Sequence, residues 1–130
     1  MIKEIAQYIE NKTAFVIGDT LYAGFLPQNA PDLCTVIIES GGNGNYYLTD
    51  KIDMTMQVLS RGLNYYEANN QASIVYWLFV GGKGIELPEI DDGVWIINAS
   101  EAIQIPQSIG QDDKGRFEFS TNYILRISRP

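Results

Sequence analysis

Any bond-making or bond-breaking chemistry in this chain would have to come from carboxylates. The sequence contains no histidine, which excludes imidazole-based triads and imidazole metal sites. The adjacent pairs Asp91-Asp92 and Asp112-Asp113 stand out, because two acids with separated pKa values can divide acid and base roles. Neighbouring residues in a loop seldom point at one target, however. A calcium loop also needs oxygen ligands at alternate positions and a closing Glu, which neither run supplies. Both pairs therefore read as solvated turns. Cys34 is the single cysteine, so no intrachain disulfide can form. Within Leu33-Cys34-Thr35-Val36-Ile37-Ile38 it reads as a small buried thiol with no base to activate it. Two glycine-rich stretches invite a phosphate-loop reading. Gly41-Gly42-Asn43-Gly44 is followed by no helix and no Lys-Ser/Thr pair, and Gly81-Gly82-Lys83-Gly84 follows a helix, the wrong order. Both read as turns. No cofactor and no metal is called for, and a small hydrolase or isomerase using carboxylates alone is a remote alternative.

The charge balance points the same way. Sixteen acids against nine bases give a net charge of −7, and the bases are scattered from Lys3 to Arg129 without a phosphate-tracking patch. Specific binding to nucleic acid is not expected. An acidic surface serves solubility, and it would also let DNA slide past. No run approaches the roughly 18 apolar residues of a membrane span, and MIKEIAQYIENK has no apolar segment of signal-peptide length. The expectation is a soluble protein made in the cytoplasm, with no membrane partner. A chain of 130 residues suits one domain, residues 1–130, around one core.

The elements that would position any site follow from periodicity. Ile2, Ile5, Ala6 and Ile9 obey the i, i+3, i+4, i+7 rule and predict a short helix over 2–11. Phe15-Val16-Ile17 reads as extended, Gly18-Asp19 as a turn, and Thr20–Phe25 as a strand. Pro27 and Pro31 bracket a loop. Leu33–Glu39, continuous and β-branched, predicts a strand buried on both faces. Ser40–Asn45 reads as a flexible loop, and Ile52–Arg61 as a strand with Ile52, Met54, Met56 and Val58 on one face and Asp53, Thr55, Gln57 and Arg61 on the wet one. Tyr65–Val80 predicts the main helix, with a stripe at Tyr65, Ala68, Ala72, Val75, Tyr76 and Phe79, ended by Gly81-Gly82. Its second half is apolar nearly all round, which implies cover by sheet or by a neighbouring subunit. Gly84–Pro88 reads as a short edge strand, Glu89–Gly93 as an acidic turn, and Val94–Ile105 as extended but interrupted near Ala99-Ser100-Glu101. Pro106–Gly115 reads as a polar connection. From Phe117 the series Phe117, Phe119, Tyr123, Leu125 and Ile127 alternates with polar residues, a two-sided ribbon. Arg116–Ser128 would span roughly 40 Å, a length that bends or reaches beyond its own domain. The ribbon pairs most simply with Val94–Ile105, antiparallel. The fold class is α+β, a mainly antiparallel sheet with a short N-terminal helix and a longer central helix packed on it.

Tyr46-Tyr47, beyond the glycine run, would be costly to expose and suit interface anchors, or they pack back on the domain. The same two readings apply to Trp77 and Phe79.

The most specific segment is Pro106-Gln107-Ser108-Ile109-Gly110, with Asp112, Lys114-Gly115-Arg116, Phe117-Glu118-Phe119-Ser120 and Asn122-Tyr123. It resembles the end of a family of bacteriophage minor capsid proteins, similar to the tail terminator or tail-completion proteins of long-tailed phages. Cys34-Thr35-Val36-Ile37-Ile38-Glu39-Ser40-Gly41-Gly42 and Met56-Gln57-Val58-Leu59-Ser60-Arg61-Gly62, leading into Tyr66-Glu67-Ala68, extend the resemblance over nearly the whole chain. Gln111 departs from it, standing where a basic residue is expected. The resemblance implies a structural virion protein at the head–tail junction. It would form a homo-oligomeric ring of six, cap the tail tube, and meet the tube protein on one side and the head-completion or connector protein on the other. DNA would be passing cargo. No catalytic residue is carried over. The interface set so implied is Gln107, Ser108, Asp112, Asp113, Lys114 and Arg116, with Tyr46, Tyr47, Trp77 and Phe79 added for their aromatic rings. Another minor capsid or head–tail adaptor role is the alternative.

Overall fold

The computed structural model describes residues 1–44, 51–90 and 93–129. Among these the chain runs α1 (Ile2–Lys12), β1 (Leu21–Ala23), β2 (Cys34–Gly44), β3 (Lys51–Gly62), α2 (Tyr65–Phe79), β4 (Lys83–Glu86), β5 (Ile96–Ala102), β6 (Gln107–Gln111) and β7 (Phe117–Ser128). One sheet holds all seven strands in the order β1-β2-β3-β7-β5-β4, with β6 added to β7. Every pairing is antiparallel except β1 with β2, which is parallel. The α+β expectation holds.

Both helices form where their apolar spacing places them. Ile5, Ala6 and Ile9 are the buried stripe of α1, which ends where Thr13 Oγ1 donates to the Ile9 carbonyl at 2.7 Å. The α2 N-terminus is capped by the Asn64 side chain, which accepts from Tyr66 N at 2.8 Å. Ala68, Ala72, Val75 and Phe79 turn inward. Val75 and Phe79 meet one face of the sheet, where Ile37, Met56, Val58, Tyr123, Leu125 and Ile127 alternate inward, and the same apolar cluster reaches Ile5 and Ile9 of α1. Ala68 and Ala72 pack with Phe119 in a smaller cluster beside it. Burying each such side chain contributes roughly 1.5–3 kcal/mol. Both helices thus cover one face. The other face carries Gln57, Asn122 and Arg126. It is cross-linked by Gln57 Nε2 donating to Ser120 Oγ at 3.1 Å and by Arg126 to Asp53 at 2.9 Å.

The structure corrects four expectations. The long ribbon does not reach out of its domain: β7 is an interior strand of the sheet, paired along its whole length with β3 on one side and with β5 and then β6 on the other. The Gly41-Gly42-Asn43-Gly44 run is no turn but the end of β2, which stays paired to β3 through a register shift between Glu39 and Gly42. Glycine is needed there, because Gly42 has φ +152° and a Cβ would overlap the Asp53 carbonyl. The extended segment after Gly93 is not broken at Ala99–Glu101. A register shift between Ile97 and Ala99 absorbs the irregularity within β5, and the break falls after Ala102. Finally, Pro106–Gly115 is not a plain connection but contains β6.

Candidate assembly surface

β6 and the start of β7 form a hairpin whose turn is built from one side chain. Asp112 N donates to the Arg116 carbonyl at 2.9 Å, and Gly115 N donates to the Asp112 carbonyl at 3.0 Å. Gly115, at φ +78°, takes the left-handed conformation that closes a three-residue loop. The Asp112 carboxylate accepts three bonds: from Lys114 N at 3.0 Å, from Arg116 N at 2.9 Å and from Arg116 Nε at 2.7 Å. Desolvation alone would raise its pKa. The bonds from Arg116 and Lys114 outweigh it and hold the carboxyl below the usual range. Arg116 Nη1 also lies 3.4 Å from Asp32, tying the hairpin to the Gly24–Leu33 loop.

All five residues of β6 are exposed, and among the described strands only β7 pairs with it. Its outer backbone groups form a free sheet edge, which proteins normally blunt or cover. Ile109 stands at a register shift in β6 and is exposed, as are Ile103 and Ile105 in the approach to it. At the same end of the sheet, Tyr65 packs edge-on against Phe117 and Phe119 with ring centroids 5.9 and 5.1 Å away. Tyr66, edge-on to Tyr65, is left in solvent. A free strand edge flanked by exposed apolar side chains can add a strand or dock a neighbouring surface.

Six of the ten residues chosen from sequence fall on this hairpin: Gln107, Ser108, Asp112, Asp113, Lys114 and Arg116. Trp77 lies elsewhere, on the outer face of α2, 74% exposed and edge-on to Tyr76 at 5.2 Å. Phe79 is fully buried, its ring 5.9 Å from both Tyr8 and Tyr123, and so has no surface to offer a partner. Tyr46 and Tyr47 lie outside the described residues, as do Asp91 and Asp92. Cys34 is buried, and burial pushes its thiol pKa up despite the opposing pull of Arg61 and Arg116. Among the described residues no three acids or thiols gather as metal ligands, and no helix is long and apolar enough to cross a membrane.

A family model described as bacteriophage tail terminator protein matches residues 8–129. The chain belongs to the bacteriophage tail terminator family. No curated protein matches the chain. As a tail terminator it is a structural component of the virion, and the hairpin lies wholly within the matched region. Sequence reasoning missed the exposed Ile103, Ile105 and Tyr66. Isoleucines at alternate positions (Ile103, Ile105) outside the core series were the available signal.

Proposed function

We propose that this chain assembles as a homo-oligomeric ring, six subunits in the resembled family, that caps the phage tail tube and joins it to the head-completion or connector protein. The observation that carries this reading is the family match across residues 8–129. The exposed β6 edge and hairpin supply a surface suited to it. Each subunit would present β6, Gln107, Ser108 and the Asp112–Arg116 turn to a neighbour or to the tube, closing head to tail. The work is mechanical: it positions protein against protein around passing DNA and makes or breaks no bond. The net charge of −7 suits a channel wall that does not hold DNA. The protein is made in the host cytoplasm and used at the head–tail junction.

Electron microscopy of the purified chain mixed with tail tubes tests this directly. The expected image is a ring of added density at one tube end, with heads then joining. Tubes that stay uncapped at saturating protein would overturn the reading, and density on the head connector alone would make the chain an adaptor instead.

A further inference from the structure

Arg61 is a cation in an unusual place. It is 7% exposed. Its Nη2 donates to the carbonyls of Ala30 at 3.2 Å and Pro31 at 3.0 Å, and among the described residues its Nε has no hydrogen-bond partner. Among the described residues no carboxylate lies within ion-pair distance of it. A nearly buried charge without a counter-ion is costly unless something else neutralises it. Arg61 lines a pocket of about 570 Å³ with Leu26, Pro27, Gln28, Lys114 and Arg116. Three cations therefore converge there, in a chain whose overall charge is −7. Among the described residues only Arg116 of the three forms an ion pair, with Asp112 at 2.7 Å and Asp32 at 3.4 Å. Lys114 has no ion pair among the described residues, and Glu118, the register partner of Arg61 across β3 and β7, forms none with it.

We propose that this pocket is a carboxylate socket, filled by an acidic side chain from the β4 edge of a second copy of the chain. This rests on the self-assembly reading above. Guanidinium and ammonium donors grip carboxylate and phosphate oxygens alike, but the acidic surplus repels a polyanion while supplying free carboxylates. Glu86 and Glu89 are two of these, both exposed and without an ion pair among the described residues. A chain cannot fill its own socket with them. Glu86 pairs with Ile96 and Ile96 with Ser128, at one end of β7. The pocket sits at the other, where Gly62 pairs with Phe117. The twelve residues of β7 separate them, roughly 35 Å at the usual strand rise. Opposite charges on two distant surfaces of one chain favour a head-to-tail contact.

Two measurements on the full chain test this. In the first, the Arg61 Nε–H resonance is followed while a synthetic peptide of residues 83–90 is added, with inorganic phosphate and a short DNA duplex at equal ionic strength as comparisons. A saturable shift with the peptide, weakened at least tenfold in Lys114→Glu, is expected. No shift with any of the three overturns the socket, and a shift with duplex alone overturns the carboxylate occupant. In the second, sedimentation velocity compares the wild type, Lys114→Glu, the double variant Glu86→Lys/Glu89→Lys, and the variant carrying all three changes. Each of the first two variants should lose self-association, and the third should regain it. Wild type and Lys114→Glu associating equally would overturn the proposal while leaving self-assembly intact. A wild type that stays monomeric yet binds the peptide would keep the carboxylate socket and overturn a second copy as its occupant in free solution, while the ring on the tube stands or falls by the capping assay above.

Discussion

Tyr123, at the centre of the core, carries a buried hydroxyl that makes no well-aligned hydrogen bond among the described residues, only a poorly aligned approach to Thr121, and Thr121 Oγ1 and Ser100 Oγ on the same sheet face are likewise unpaired there. Burial pushes its phenol pKa far above the ordinary value, against a weaker pull from Thr121. Removing an orphaned hydroxyl relieves its desolvation penalty, about 1 kcal/mol. Tyr123→Phe should therefore leave Tm unchanged or raise it by about 2–4 °C, whereas Met56→Ala, which opens a cavity, should cost about 2–5 kcal/mol. Thermal denaturation of the two variants separates the cases. Asp112 makes the opposite prediction about polarity. Its folded pKa lies below the unfolded value of roughly 3.9, so its contribution is complete above that value and is lost as pH falls through the folded pKa. The amide resonances of Lys114 and Arg116 should shift together on acidification below about pH 4. In Asp112→Asn that step should vanish. A step persisting in Asp112→Asn would assign it to another acid.

At the scale of elements, the register shift at Gly42 and the hairpin turn carry the tightest backbone demands. Gly42→Ala must either move the Asp53 carbonyl or abandon the local pairing. It should lower stability by more than about 1 kcal/mol, read from the denaturant midpoint at unchanged slope. Gly115→Ala, whose Cβ would meet only the Gln111 amide at an ordinary 4.0 Å on a φ +78° backbone, should cost nearer to 1 kcal/mol. These positions also mark how far the sequence could be read. The helices were legible because Ile5, Ala6, Ile9 and Ala68, Ala72, Val75 repeat at helical spacing, and β7 because its inward series is long. Gly41–Gly44 misled because glycine signals both a turn and a bulge, and only the partner strand decides between them. β6 was hidden because Gln107–Gln111 contains one large apolar residue, and an exposed edge strand needs none. Arg61 looked like a wet-face residue, since its cover comes from Ala30 and Pro31 on a loop with no periodicity to follow. The hairpin residues entered through family resemblance, and no pattern of their own would have selected them.

At the scale of the molecule, assembly and folding should separate. Ile109 and Trp77 touch little within the chain, so Ile109→Lys and Trp77→Ser should each change stability by less than about 0.5 kcal/mol. Tube capping, counted by electron microscopy, should fall sharply for Ile109→Lys if the β6 edge is the contact. Undiminished capping would move the interface to another surface, and Trp77→Ser tests the outer face of α2 in the same assay.

The interior place of β7 has a further consequence for synthesis in the cell. It follows in the chain every strand that it joins, so β3 and β5 cannot be bridged while the ribosome is still translating the segment before Phe117. Until then the nascent polypeptide holds two unsatisfied strand borders and a half-covered apolar layer, the condition in which aggregation and chaperone capture compete with folding. Quality control should act most strongly on late translational stalls, and a ribosome paused near Gly115 should leave a protease-sensitive chain that matures only when the last segment is released.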